Sequence, residues 1–176
     1  TTPFSNFKKN RALAGAIKES KTIGSDGREY ARTEYTYTVH TIAPAPTNSS
    51  QEGAVYSYLL EPTEKRSYIK NIHTKTETSK IELDPGRYAM TSKTESFTDH
   101  YDDNVHQPVT VSTYTTFENI DSTNEMRVLT KVNAQGTKHE TTATFYYNEY
   151  GDVVSEKLEY TGTGLETVSP KTMEYA

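Results

Sequence analysis

The chain contains no cysteine and no tryptophan among its 176 residues. The absence of cysteine excludes disulfides, thiol nucleophiles and thiolate metal sites, and it fits a reducing compartment or a secreted bacterial protein without disulfides. Positive charge is also scarce, because 19 Lys and Arg are set against 24 Asp and Glu, which gives a net charge of −5. This balance provides no basic surface for nucleic acid and no attraction to anionic lipid.

Long apolar runs are missing as well. No stretch approaches the length required to cross a bilayer, and Thr1 to Asn10 lack the charged-then-apolar pattern of a signal peptide. We therefore expect no membrane insertion, and we expect any export signal to lie outside this chain.

The composition predicts a single all-β domain, residues 1–176, with a thin core. Hydrophobic residues make up only 32% of the chain, yet 14 Tyr and 5 Phe supply apolar area that disordered chains lack. Threonine is abundant beside Tyr, Val, Ile and Phe, and these residue types fit a pleated, half-buried surface. A chain of this length is long enough for one core.

The clearest strand is the alternating run from Tyr35 to Ile42, which places Tyr35, Tyr37 and Val39 on one face. Asp26-Gly27 predicts a tight turn that pairs this strand with a preceding one over Ala12 to Ile23. The Ala-rich beginning of that segment could instead form a short helix. Gly15 would cost such a helix about 1 kcal/mol, so a strand is favoured.

The remaining chain predicts a meander of about eight to ten antiparallel strands, forming an open twisted sheet or a strip of a larger β-shell. Residues 43–53, rich in Pro and small polar residues, predict an exposed loop, and Asp84-Pro85-Gly86 predicts a turn. Further strands are predicted over residues 55–60, 67–83, 87–97, 109–117, 126–132, 137–147 and 153–160.

The most distinctive motif is the hairpin from Phe145 to Val154, in which an aromatic strand end leads into a polar turn containing Gly151. The segment resembles one copy of the tyrosine-aspartate repeat, aromatic-x-Tyr-Asp-x-x-Gly-x-hydrophobic. Phe145, Tyr147 and Gly151 are in place, and Asn148 stands where that repeat has Asp. A second, degenerate copy contains Tyr101-Asp102 and a restarting Val-x-Val but no glycine. Internal repetition of a hairpin indicates a sheet that grows by adding units.

These motifs resemble the middle region of the Rhs/YD-repeat proteins, particularly the B components of insecticidal toxin complexes and the related Salmonella virulence-plasmid-type proteins. The resemblance rests on the segments Arg11 to Glu19, Ser25 to Tyr30 and Tyr35 to Tyr37, followed by the turns at Tyr101 and Tyr147. In such proteins a Leu-x-Gly stretch, a hairpin turn and a Tyr-rich strand precede the repeats. Similar segments follow one another in the same order over most of this chain.

The resemblance implies a non-enzymatic structural β-module of a large secreted or cell-surface bacterial protein. Its sheet would contribute wall to a shell that encloses a toxin or effector segment. The implied partners are neighbouring β-repeats of the same polypeptide, or a second copy that pairs through sheet edges, and no cofactor is implied. The alternative is a self-contained secreted β-sandwich or barrel that binds carbohydrate or an apolar ligand, and a hydrolase using paired carboxylates comes third.

The densest cluster of potential metal ligands comprises Asp99, His100, Asp102, Asp103 and His106. Two histidines with nearby carboxylates could hold a divalent ion, but Asp and Asn also favour solvated turns, so we expect no metal. His40, His73 and His139 lie on predicted strands with no nucleophile nearby, and surface or edge positions are expected. The Tyr residues could stack on sugars, but half-buried strand positions explain them better.

Overall fold

A computed structural model describes residues 13–41, 58–84, 89–101, 105–120, 125–164 and 167–175. These residues form ten strands: β1 Glu19–Ile23, β2 Glu29–Thr41, β3 Tyr58–Ile69, β4 Ile72–Leu83, β5 Met90–Asp99, β6 Val109–Ile120, β7 Glu125–Asn133, β8 Thr141–Tyr147, β9 Val153–Tyr160 and β10 Lys171–Glu174. The strand order in the sheet follows the chain from β1 to β10 without a crossover. The predicted all-β antiparallel meander is confirmed. The predicted loop over residues 43–53 lies outside the described residues.

The chain divides into two compact units, and the division falls within β4 and β5. Unit 1 comprises residues 1–79 and 98–108, and unit 2 comprises residues 80–97 and 109–176. Among the described residues there is no helix long and apolar enough to span a bilayer.

In unit 1, β2 pairs with β1 through the predicted turn at Asp26-Gly27, where Gly27 has a φ of 77°. The rings of Tyr35 and Tyr37 stack with centroids 6.4 Å apart, so both lie on one face as predicted. The predicted strand over Ala12 to Ile23 is wrong at its beginning. A turn occupies Leu13 to Gly15, where Gly15 takes a φ of 85° that neither a strand nor a helix allows, and β1 begins only at Glu19.

The predicted continuous strand over residues 67–83 is also wrong. Lys70 and Asn71 both have positive φ, 49° and 67°, and form a two-residue turn between β3 and β4. This turn type matches the twist of the flanking strands, and Asn tolerates the left-handed conformation. Ile69 and Ile72 are therefore paired across the hairpin instead of following one another along one strand.

In unit 2, β9 has the predicted bounds, whereas β8 begins at Thr141 and not at Thr137. The Thr137 hydroxyl donates to the Ala134 carbonyl oxygen over 2.7 Å and accepts from the His139 amide over 3.1 Å. These local bonds hold a turn that competes with strand pairing. The short strand β10, which no pattern predicted, pairs antiparallel with β9.

Few side chains in the described residues are buried, as the composition predicted. Ile81 and Ala143, both in unit 2, are the buried hydrophobic residues there, and no large side chain is fully buried. Hydroxyl pairs join neighbouring strands instead: Ser96 and Ser112 Oγ atoms lie 2.8 Å apart, and Thr116 and Thr130 Oγ1 atoms 2.6 Å apart. Cross-strand pairs of this kind stabilise a sheet modestly, so the described sheet depends on pairing more than on a core.

Candidate functional site

The predicted tyrosine hairpin is formed by β8, the turn Asn148 to Asp152, and β9. The Asn148 amide donates to the Asp152 carbonyl oxygen over 3.0 Å, and the Gly151 amide donates to the Asn148 carbonyl oxygen over 3.2 Å. Asn148 Oδ1 accepts from the amides of Tyr150 and Asp152, both at 2.9 Å. Gly151 has a φ of 92°, so a glycine is required where the motif places it.

Two side chains attach this hairpin to β7. The Tyr147 hydroxyl donates to the Val128 carbonyl oxygen over 2.7 Å, and the Arg127 guanidinium lies 5.4 Å from the centroid of the Tyr147 ring. Burial raises the pKa of the Tyr147 hydroxyl above its ordinary value. Phe145 is half-buried on β8 and lies opposite Glu156 of β9. Tyr147 of the motif therefore holds the hairpin against the adjacent strand β7.

The degenerate copy at Tyr101 forms a different connection. β5 ends at Asp99 and β6 begins at Val109, so the link is longer than the five-residue turn at Asn148. Tyr101 is exposed, and its ring lies 5.3 Å from the ring of His106. Asp102 and Asp103 lie outside the described residues.

We predict that Gly151→Val lowers the free energy of unfolding by about 1–2 kcal/mol, because a β-branched residue is strained at this φ. A Cβ at Gly151 would also lie 3.0 Å from Arg127 Nη2, although that side chain can move. Asn148→Asp should cost less than about 1 kcal/mol, because a carboxylate retains both amide bonds and the exposed 3.3 Å bond from Asn148 Nδ2 to Asp152 Oδ2 is replaced by an exposed repulsion. Urea unfolding of the wild type and both variants measures the differences. A Gly151→Val variant as stable as the wild type would contradict the requirement for glycine in this turn.

A buried carboxylate forms the centre of a second polar arrangement, in unit 1. Glu61 on β3 is only 5% exposed. Its Oε2 lies 2.6 Å from His40 Nε2 of β2, and its Oε1 accepts from the Ser79 hydroxyl of β4 over 3.2 Å. The carboxylate lies between the serine and the histidine, so the histidine is not placed to activate the serine, as a catalytic triad requires. The arrangement instead satisfies a buried charge across three strands.

A third arrangement is a column of planar groups, one from each of β2, β3 and β4 and one just beyond β5. The Arg32 guanidinium lies 4.4 Å from the Tyr68 ring centroid, the Tyr68 and His73 centroids are 5.1 Å apart, and those of His73 and His100 are 4.0 Å apart. Direct pairing of Arg32 with Tyr68 and of Tyr68 with His73 produces this alignment. The Tyr68 hydroxyl donates to Glu34 Oε2 over 3.1 Å.

The two histidines of this column share one hydroxyl. Thr76 Oγ1 lies 2.9 Å from His73 Nε2 and 3.0 Å from His100 Nε2. His73 Nε2 also lies 3.2 Å from the Lys75 carbonyl oxygen, which only accepts, so this nitrogen is assigned the proton. Burial, and then the nearby His100, lower the pKa of His73 below its ordinary value. We call His73, Thr76 and His100 the histidine pair site.

The histidines therefore occupy three different environments. His40 contacts Glu61 of the neighbouring strand β3, and His73 contacts Thr76 of its own strand β4. His139 lies exposed in the turn before β8. In the part of the chain that the structure describes, no group of three His, Asp, Glu or Cys residues is close enough to hold a metal ion. Surface or edge positions were predicted for all three: His139 is exposed, whereas His40 and His73 are half-buried, and the His40 ring pairs with the buried Glu61.

Comparison with known proteins does not assign this chain to a family. No family model matches it, and no curated protein matches it significantly. The resemblance to the Rhs/YD-repeat proteins therefore rests on the motif residues alone.

Two of the three arrangements escaped the sequence analysis. His40, Glu61 and Ser79 are far apart in the chain, and so are His73 and His100. The contact between His40 and Glu61 depends on a register shift between β2 and β3 at Thr36/Tyr37. No local pattern reports such a shift. The signal that could have found one pair is Tyr68-x-x-x-x-His73, which becomes a direct cross-strand pair once Asn71 is taken as a turn.

Proposed function

We propose that this chain is a structural, non-enzymatic β-module of a large secreted or cell-surface bacterial protein of the Rhs/YD type. Its sheet contributes wall to a shell around a toxin or effector segment. In this arrangement β1 and β10 pair with neighbouring strands of the same polypeptide, and one face of the sheet is covered by other parts of the shell.

The shortage of buried apolar side chains is the main support. Ile81 and Ala143 are the buried hydrophobic residues of the described chain, while Ile17, Ile23, Ile69, Val105, Val109 and Tyr150 are each more than half exposed. A sheet normally buries at least one apolar face against another layer. A wall segment obtains that second layer from the rest of its protein, which accounts for a thin core here.

The strand order gives independent support. Every strand is a sheet neighbour of the next strand in the chain, so further hairpins can be added at either end without a crossover. Tyr147 and Arg127 hold the tyrosine hairpin against the preceding strand. Further copies of such a hairpin could lengthen the sheet in the same way.

The test compares hydrogen exchange of this chain alone with that of the same residues in a polypeptide extended by its neighbouring coding sequence. We expect amides of β1 and β10 to gain protection in the extended polypeptide, because a neighbouring strand pairs with each edge. Amides of β7, which already pairs with β6 and β8, serve as the internal control and should not change.

Unchanged exchange in β1 and β10 would contradict the wall function. If the chain alone were in addition a monomer with measurable affinity on a glycan array, the self-contained carbohydrate-binding domain would replace it. Sedimentation velocity over a range of concentrations measures the association state in the same samples.

A further inference from the structure

The histidine pair site joins two segments of unit 1 that are not adjacent in sequence. His73 and Thr76 belong to β4, whereas His100 follows the end of β5. The His100 amide donates to the Thr74 carbonyl oxygen over 2.9 Å, so backbone and side chain both hold this segment against β4. The two ring centroids are 4.0 Å apart with an interplanar angle of 28°.

We propose that the histidine pair site is an acid-sensitive clasp. It holds the segment at His100, just after β5, against β4 while the imidazoles are neutral, and it releases this segment when both are protonated. This device is independent of the proposed structural function, because it rests only on contacts within unit 1.

The hydrogen bonds favour the neutral pair. His73 Nε2 carries a proton that points towards the Lys75 carbonyl and Thr76 Oγ1, and the Thr76 hydroxyl then donates to the lone pair of His100 Nε2. Protonation of His100 at Nε2 removes that acceptor. Both rings would then donate to the Thr76 oxygen, and its own proton would have to turn away.

Electrostatics oppose the doubly protonated pair more strongly. Two imidazolium rings with centroids 4.0 Å apart repel each other in a half-buried setting, where water screens the interaction less than in bulk. Two charged sites coupled in this way lose their protons in two steps that belong to the pair.

Three carboxylates near the column are already paired with cations, so they do little to relieve this repulsion. From β2, Arg32 lies over Tyr68 and pairs with Glu34 at 3.1 Å. From β3, Arg66 pairs with Glu64 at 2.9 Å, and on β4 itself Lys75 pairs with Glu77 at 3.0 Å. Arg66 lowers the pKa of His73 and Glu64 raises it, both more weakly than burial. Glu34, Glu64 and Glu77 are therefore each already paired with a cation.

The direction of the pH effect follows from the lowered pKa of His73. The unfolded chain binds a proton at this residue near the ordinary histidine value, whereas the folded chain binds it only at lower pH. The contribution to stability is thus complete above the ordinary value. It is lost as the pH falls from that value through the lower, folded one.

The experiment follows the imidazole signals and the His100 amide by NMR from about pH 7.5 to about pH 5, with a chelator present to exclude metal. In the wild type we expect the two rings to titrate in two separate steps, and the His100 amide to lose its exchange protection with the second step. His73→Gln should keep this amide protected at the acidic end, because glutamine retains a donor and does not titrate.

Urea unfolding across the same pH range gives a second readout. The folding equilibrium constant of the wild type should fall several-fold on acidification, and this fall should shrink in His73→Gln and in His100→Gln. His139→Gln, in an exposed turn, is the matched control and should behave like the wild type. Independent titration of both rings, or a His100 amide that stays protected after both are protonated, would overturn the proposal even if a variant failed to fold.

Discussion

Gly162→Ala should destabilise unit 2 by about 3 kcal/mol, the upper end of the usual cost of overpacking a filled site. An added Cβ would lie 2.3 Å from the Lys138 carbonyl oxygen and 2.8 Å from the Glu140 amide nitrogen. Both atoms belong to the backbone, so neither can rotate away as a side chain would. The free energy of unfolding in urea measures the loss.

The contact at Gly162 also closes the end of the β8–β9 hairpin. The amides of Thr161 and Gly162 both donate to the Glu140 carbonyl oxygen over 3.0 Å, and the Thr161 hydroxyl donates to Glu140 Oε1 over 2.8 Å. Thr163→Ala, one residue further on and exposed, is the control and should change stability by less than about 0.5 kcal/mol. Similar stabilities for the two variants would show that Lys138 and Glu140 move aside freely.

His40→Ala should lower the free energy of unfolding by about 2–3 kcal/mol, because it removes the cationic or hydrogen-bonding partner of a buried carboxylate. Glu61 would retain only the bond from Ser79, and its side chain is just 6% exposed. His139→Ala removes an exposed imidazole of the same size and should have little effect.

Replacement of both members of the pair separates the loss of the interaction from the cost of an unpaired charge. Glu61→Met combined with His40→Phe should be clearly more stable than His40→Ala alone, since no buried charge is left without a partner. If the double variant were the less stable of the two, the unpaired Glu61 carboxylate would cost less than the replacement side chains, and the expected penalty for a buried unpaired charge would be wrong. Urea unfolding of the wild type and both variants under one set of conditions provides the comparison.

Local chemistry made the tyrosine hairpin predictable. Gly151 and Asn148 occupy positions where positive φ and side-chain-to-amide bonds are required, so the turn and the bounds of β9 follow from the sequence. The Lys70-Asn71 turn was missed because lysine gives no turn signal and the flanking Thr-rich run alternates without a break. β10 was missed because Lys171 to Glu174 contain a single large apolar residue.

Contacts between distant segments could not be predicted in the same way. Alternation assigns His40 and Glu61 to faces of their strands, but whether they meet depends on register, and a shift at Thr36/Tyr37 alters the register within this pair of strands. His73 and His100 are brought together by the path of the chain after β5, where the His100 amide bonds to β4, and no local pattern shows this.

The hydroxyl pairs between strands have a consequence for how this protein responds to temperature. Unfolding raises the heat capacity when apolar surface becomes hydrated and lowers it when polar surface does. The described residues are joined by Ser96 and Ser112, and by Thr116 and Thr130, and bury few apolar side chains, so we expect a small heat-capacity change for the length of the chain. Its stability curve is therefore shallow, so cooling weakens it little and its enthalpy of unfolding varies little between cold and warm conditions.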